Sequence, residues 1–381
     1  MPVQNTPWVH SPGWDGFWLL SGFWIPLLLL ALPQHFAKPF LIGVTLCFWI
    51  AHRFSSLYLG FCVGEYQRVL QARRGYFIYA PLGILLALGA YLLAPEALIP
   101  LSVFQRFLLL GLADYFFSLY HFAVQHYGVL AVYRGRLPHG QKNQGLLRMD
   151  WWLCMGVSGL LSFCLDFFQG ELATVMPFLP GLKFSLPAAY LLGIKLGFSL
   201  LLCLVWAGVL KRYRRENQGL PRMLYVSSLC FMTLVSLYLG PLLYFAVAQI
   251  QHWSVSLGLT RYMAAQSQQV PAGAWYRVWN RVNHWAWGPL LVWVGLSLLL
   301  TPFLEADLYL LHNFDPNVLT VPYFLQAFQD SVWLLIFGAL AFYSSLLHYL
   351  FDRGVFRFSD PLTRESALAL LAPVQKQRLE V

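Results

Sequence analysis

Charge is what this chain lacks most. Of 381 residues, 11% are Asp, Glu, Lys or Arg, against about 25% in an average soluble domain. With 59% hydrophobic residues and a mean hydropathy of +0.59, the sequence cannot clothe a 43.6 kDa globule in a charged surface. That excludes a soluble enzyme and a disordered chain. It also excludes a nucleic-acid reader, because the net charge of +9 is split into short clusters between apolar runs instead of forming one patch. The six cysteines (Cys47, Cys62, Cys154, Cys164, Cys203 and Cys230) form no CxxC pair and lie in apolar stretches. They read as buried free thiols, with no disulfide framework. No Lys or Arg precedes Lys38, so the first apolar segment reads as a retained span and not as a cleaved signal peptide.

What is present is a series of apolar runs of spanning length. They lie at 14–32, 39–62, 77–94, 101–133, 151–168, 185–210, 224–262, 284–303 and 328–351, with prolines such as Pro33, Pro95, Pro180, Pro221 and Pro322 near their boundaries. The reading is all-α: a polytopic integral membrane helical bundle of 9–10 transmembrane helices. Residues 1–351 form one transmembrane domain and residues 352–381 a short cytoplasmic tail. The run 224–262 is too long for one span, since 39 residues of helix cover about 58 Å and the bilayer core is about 30 Å thick. Gly240-Pro241 in its middle predicts two helices. With ten spans and a cytoplasmic N-terminus, 20 of the 25 basic residues fall on the cytoplasmic side, and the acidic Glu305, Asp307 and Asp315 fall outside. An odd span count would reverse the last loop and tail, so the charge bias places both termini in the cytoplasm. The stretch Ser366–Leu371 reads as a helix packed on the membrane face.

The histidines carry the functional signal, because ionisable groups inside a membrane are costly and usually functional. Ten are present; His10, His35, His139 and His312 fall in loops. His52, His121, His126, His252, His284 and His348 lie within or at the ends of spans. Counted from the nearest basic or acidic boundary, all six sit within about 20 Å of the cytoplasmic face. Imidazoles from separate spans in one layer predict a metal site, with His52, His121, His126, His252 and His348 as its ligands. His284, beside Arg281, reads as interfacial. On the fourth span Asp114, His121 and Gln125 share one helix face, which makes Asp114 and Gln125 candidates to orient a ligand. His126 points about 140° away from His121, so both reach one ion only across a π-bulge. His348 and Asp352 are four apart and share a face. Asp352 then either ligates, orients His348 or pairs with a cytoplasmic Arg. Arg53, next to His52, needs a partner, and Asp114 and Glu65 are the candidates. Lys195 sits mid-span with none evident.

Histidine-rich ligation suits iron, copper or zinc. The HxxxH and HxxHH boxes of membrane desaturases are absent, which argues against their dinuclear site. Ser118–Gly128, with Tyr120-His121-Phe122, resembles the tyrosine-histidine-phenylalanine stretch of the Brp/Blh-type bacterial carotene-cleaving dioxygenases. The resemblance is confined to that stretch, and only His121 carries over by position. It implies an all-helical membrane enzyme that binds iron through histidines on several spans. The expected function is therefore a non-haem iron oxygenase in a bacterial inner membrane. It would act on a lipophilic small molecule reached from the bilayer, with Tyr120, Tyr127, Trp253, Trp285 and Trp287 available to line a groove. The alternatives are a haem-binding membrane protein and a multi-span transporter built around the broken span at Gly240-Pro241.

Overall fold

The structure, a computed structural model, describes residues 7–136, 143–160, 187–239, 241–269, 273–307, 324–329 and 331–371. Among the described residues there is helix and no strand. In chain order the helices are α1 (Pro12–Trp18), α2 (Ser21–Ala31), α3 (Gln34–Cys62), α4 (Gln67–Ala72), α5 (Ala80–Leu93), α6 (Val103–Gly135) and α7 (Gln144–Cys154). They continue as α8 (Ala188–Arg215), α9 (Leu220–Ser236), α10 (Pro241–Ala265), α11 (Ala274–His284), α12 (Gly288–Leu304), α13 (Val332–Val355) and α14 (Pro361–Leu371).

Five helical segments are long and apolar enough to cross a membrane: Pro39–Cys62, Gly75–Leu93, Val103–Gly135, Ala189–Arg215 and Val332–Val355. Two bent pairs raise the number to seven. The expected span 14–32 is one of these pairs, α1 and α2, bent by 56°. In α1, Asp15 is buried and accepts hydrogen bonds from the backbone of Val9 and His10 and from the Tyr133 hydroxyl, which ties this segment to α6. The second pair, α11 and α12, turns through 102°. That turn needs Gly288, where a Cβ would stand 2.1 Å from the Val282 carbonyl oxygen. The long run 224–262 is two helices, α9 and α10, as its length requires. Helix α10 is not among the seven, because Gln249, Gln251 and His252 dilute its apolar face. The expected span 151–168 lies partly outside the described residues.

Helix α6 starts cleanly: Ser102 accepts from the Gln105 N–H while the Gln105 side chain accepts from the Ser102 N–H, a reciprocal cap. One turn on, the buried Arg106 guanidinium donates to the carbonyls of Tyr91, Leu92, Ile99 and Leu101. It thereby satisfies the orphan carbonyls at the end of α5.

Helix α3 is the hub. It packs against α10, α12 and α13, and α6 lies against α13. Of the five spanning segments, α13 and α3 are the most buried and α8 the least. Leu196, Leu200 and Leu204 of α8 face outward, the usual surface of a helix against lipid. At the cytoplasmic end predicted from charge, Asp150 of α7 accepts from Tyr213 of α8 and from Arg222 of α9. This buried ion pair ties three helices together. Helix α13 runs to Val355, and α14 packs on α4, α10 and the turn at Gly64–Tyr66. Ser366 donates to the Glu65 carbonyl at 2.8 Å, and Ala367, Leu370 and Leu371 are buried. Residues 352–371 are thus packed onto the bundle.

Candidate metal centre

Four helices each bring one histidine to the same place: His52 from α3, His121 from α6, His252 from α10 and His348 from α13. The rings close a cycle. Centroids are 4.6 Å apart from His52 to His348, 4.7 Å from His348 to His121, 5.2 Å from His121 to His252 and 5.2 Å from His252 to His52. Each neighbouring pair meets edge to face. Across the cycle, His252 and His348 are 6.1 Å apart. The donor atoms of His52, His252 and His348 lie within 4.8 Å of one another, and so do those of His121, His348 and Asp352. Two ligands at about 2.1 Å from one ion stand at most about 4.2 Å apart. Side-chain shifts well under an ångström would close either set.

The hydrogen-bond inventory identifies what these groups lack. His52 Nδ1 meets the Trp49 carbonyl one turn earlier, which leaves Nε2 for the interior of the cycle. Asp352 stands between two rings, 3.2 Å from His121 Nε2 and 3.6 Å from His348 Nδ1. His121 Nε2, His252 Nδ1, both nitrogens of His348 and Asp352 Oδ1 are buried and make no hydrogen bond. A buried polar atom without a partner costs about 1–3 kcal/mol. Native interiors hold few such atoms, and here five converge. Converging buried imidazole nitrogens of this kind are the donor type that a candidate cation site requires.

His126, expected as a ligand, is not in the cycle. Its Nδ1 lies 2.7 Å from the Tyr225 hydroxyl, and it belongs to neither donor set. The reason is local: α6 is continuous α-helix from Val103 to Gly135 with no π-bulge. Five residues therefore turn His126 about 140° from His121. Gln125 stays beside the centre and donates to the His252 carbonyl at 3.1 Å, bracing α10 at the ligand. Asp114 does not meet a histidine through a hydrogen bond. It accepts from Ser345 at 2.6 Å and bonds Tyr349, fastening α6 to α13. Asp114 precedes His121 by two helical turns, about 10 Å of rise.

Arg53 also finds partners other than those expected. It donates to Ser344 at 2.8 Å and lies 4.0 Å from Asp307, with its guanidinium over the Trp49 ring. Glu65 is engaged elsewhere, accepting from Ser267, Gln268 and Gln269. Asp114 acts on Arg53 only through space. Arg53 is a clamp between α3 and α13, which removes one support for a transporter. His284 is exposed and bonded within its own helix at 2.8 Å from the Asn280 carbonyl. His10 packs on Trp14 and Tyr262. Lys195 lies half-exposed on the peripheral α8. His139, His312, Cys164 and the side chain of His35 lie outside the described residues. Of the five aromatics, Trp253 stacks on His52 at 5.6 Å. Tyr127 packs on Trp151, and Tyr120, Trp285 and Trp287 are exposed.

Residues around the centre that sequence reasoning missed are Tyr225, Ser344 and Ser345. Each contacts a polar group on another helix, and no spacing within one helix signals that. No protein-family model, curated protein or solved structure matches the chain.

Proposed function

We propose that this chain is an integral membrane metalloenzyme that holds one iron ion at His52, His121, His252 and His348. Its reaction is the oxygen-dependent oxidation of a lipophilic molecule in the cytoplasmic half of the bilayer. The single observation that carries this reading is the closed cycle of four buried imidazoles from four helices, with four of their eight ring nitrogens unpartnered. The resemblance around His121 favours iron over copper or zinc. Iron at such a site, when bound, supplies oxygen activation at positions the protein leaves open. The residues do the rest. Asp352 stands at His121 Nε2 and His348 Nδ1, where its carboxylate would join those two imidazoles as a donor to the ion. Trp49 holds the ring of His52, and Gln125 holds the α10 backbone at His252. Phe122 and Trp253 wall the rings with apolar surface, which keeps water out and suits a lipophilic substrate.

Haem fits this site poorly. Two axial imidazoles need a clear porphyrin plane between them, and here two further rings stand beside any chosen pair. The charge distribution supports ten spans with both termini cytoplasmic, and the assignment to a bacterial inner membrane rests on the resemblance around His121 alone. Accessibility of single cysteines placed at each terminus to an impermeant thiol reagent tests that topology, and labelling from outside intact cells would overturn it.

The decisive experiment is metal analysis and an absorption spectrum on full-length protein purified in mild detergent without a His tag. One iron per chain and no Soret band are expected. A Soret band, or protein that stays metal-free after anaerobic reconstitution with Fe(II), would overturn the reading.

A further inference from the structure

His126 and its surroundings form a second polar cluster, one aromatic ring away from the histidine cycle. His126 and Tyr225 are fully buried, and His126 Nδ1 lies 2.7 Å from the Tyr225 hydroxyl. The far nitrogen, His126 Nε2, is buried and unpartnered. Gln251, also fully buried, brings its amide N–H toward the Tyr225 hydroxyl from α10, and its amide oxygen is left without a partner. The Phe122 ring separates the cluster from the metal centre, 4.3 Å from His126 and 5.4 Å from His252. Gln251 precedes the ligand His252 in the chain.

The donor and acceptor inventory states what is missing. If Tyr225 donates to His126 Nδ1, then Nε2 carries the ring proton and needs an acceptor. If His126 donates to Tyr225, Nε2 needs a donor. Gln251 offers one acceptor oxygen and two N–H donors. Pure hydrocarbon leaves His126 Nε2 and the Gln251 amide oxygen unsatisfied at about 1–3 kcal/mol each. A hydroxyl, which donates and accepts, serves either tautomer of His126, and a carbonyl, which only accepts, serves the one with Nε2 protonated.

We propose that His126, Tyr225 and Gln251 form a subsite for an oxygen-bearing group, a hydroxyl or a carbonyl, of the lipophilic molecule whose oxidation is assigned to the metal centre. This deepens the metalloenzyme reading and rests on it for the reaction, but not for the binding. Anchoring the polar end here directs the apolar remainder past Phe122 toward the four histidines. It also explains a histidine, a tyrosine and a glutamine retained in an apolar interior without joining the donor sets.

The test uses full-length protein in detergent, photolabelled with a diazirine-bearing long-chain alcohol and with the matching diazirine alkane. Labelled peptides are mapped by mass spectrometry, and metal content is measured on the same samples. The alcohol is expected to label α6 near Phe122 and His126 and α10 near Gln251. Excess long-chain alcohol or ketone should compete, and alkane should not. Tyr225→Phe and Gln251→Leu should each weaken labelling by about fivefold, one hydrogen bond of typical net worth, at unchanged metal content. Equal labelling by both probes overturns the subsite, as does labelling unchanged in both variants. Absence of specific labelling by either probe also overturns it and leaves the cluster as a site for bound water. Alcohol-specific labelling of a protein that cannot hold iron would sink the metal reading and leave the subsite standing; iron without alcohol-specific labelling would do the reverse.

Discussion

Replacing His348 with leucine sets the metal role of this residue against its cost to the empty bundle. His348 belongs to both donor sets, and both its ring nitrogens are buried without a partner. Removing two such atoms relieves about 2–6 kcal/mol. A side chain of similar volume costs under about 1.5 kcal/mol in packing. The unfolded reference of a membrane protein also finds partners for polar groups, which draws the gain toward its lower end. Metal-free His348→Leu should therefore be more stable than metal-free wild type by about 0.5 kcal/mol or more. With Fe(II) the order reverses. At one hundred times its dissociation constant, a ligand of the native state adds about 2.7 kcal/mol. Wild type should gain that increment and the variant should gain almost none. Thermal unfolding in detergent, followed by tryptophan fluorescence with and without anaerobic Fe(II), measures all four states. A metal-free variant less stable than metal-free wild type would refute the reasoning about unpartnered nitrogens. Equal stabilisation of both proteins by iron would refute the ligand assignment.

Three further outcomes follow from the same geometry. Asp150→Asn or Arg222→Met alone strands a buried charge and should destabilise by about 3–5 kcal/mol; the double variant should lose less than the sum, which a double-mutant cycle reads directly. Gly288→Ala should cost at least about 1–3 kcal/mol, because the added Cβ meets the Val282 carbonyl at the α11–α12 turn, and it should show as faster proteolysis at that turn. Asp360 accepts from the Thr363 N–H and hydroxyl. Those bonds, with Arg73 beside it, hold its carboxyl below the usual carboxylate range. A depressed native pKa gives stability that is present above the unfolded value and lost as pH falls through the native one. The protection of the α14 amides, read as their exchange rate relative to an unstructured chain at the same pH, should therefore fall below about pH 3.9. Asp360→Asn should remove that dependence, and an unchanged pH profile in the variant would remove Asp360 from the account.

Several features of the centre were legible residue by residue. The 140° offset between His121 and His126 already marked the pair as unable to share an ion without a π-bulge, and α6 has none. Asp352, four residues from His348, faces the centre as the helix repeat requires. The break between α9 and α10 followed from length alone. Other contacts were illegible because they join distant parts of the chain. Asp114 bonds Ser345, 231 residues away. Arg53 turns to Ser344 and Asp307 and leaves Glu65 to cap the end of α10. The 102° bend before α12 depends on a backbone approach at Gly288, where the sequence shows only one glycine among 29.

Composition and hydropathy by themselves determined the apolar composition of the helices, their helical character and the break between α9 and α10. All three depend on local quantities: transfer free energy per residue and a rise of about 1.5 Å per residue along a helix. Which imidazoles converge was decided only by the tertiary structure. Convergence depends on how α3, α6, α10 and α13 pack and rotate about one another, and van der Waals fit and interhelical hydrogen bonds between sequence-distant residues set those rotations.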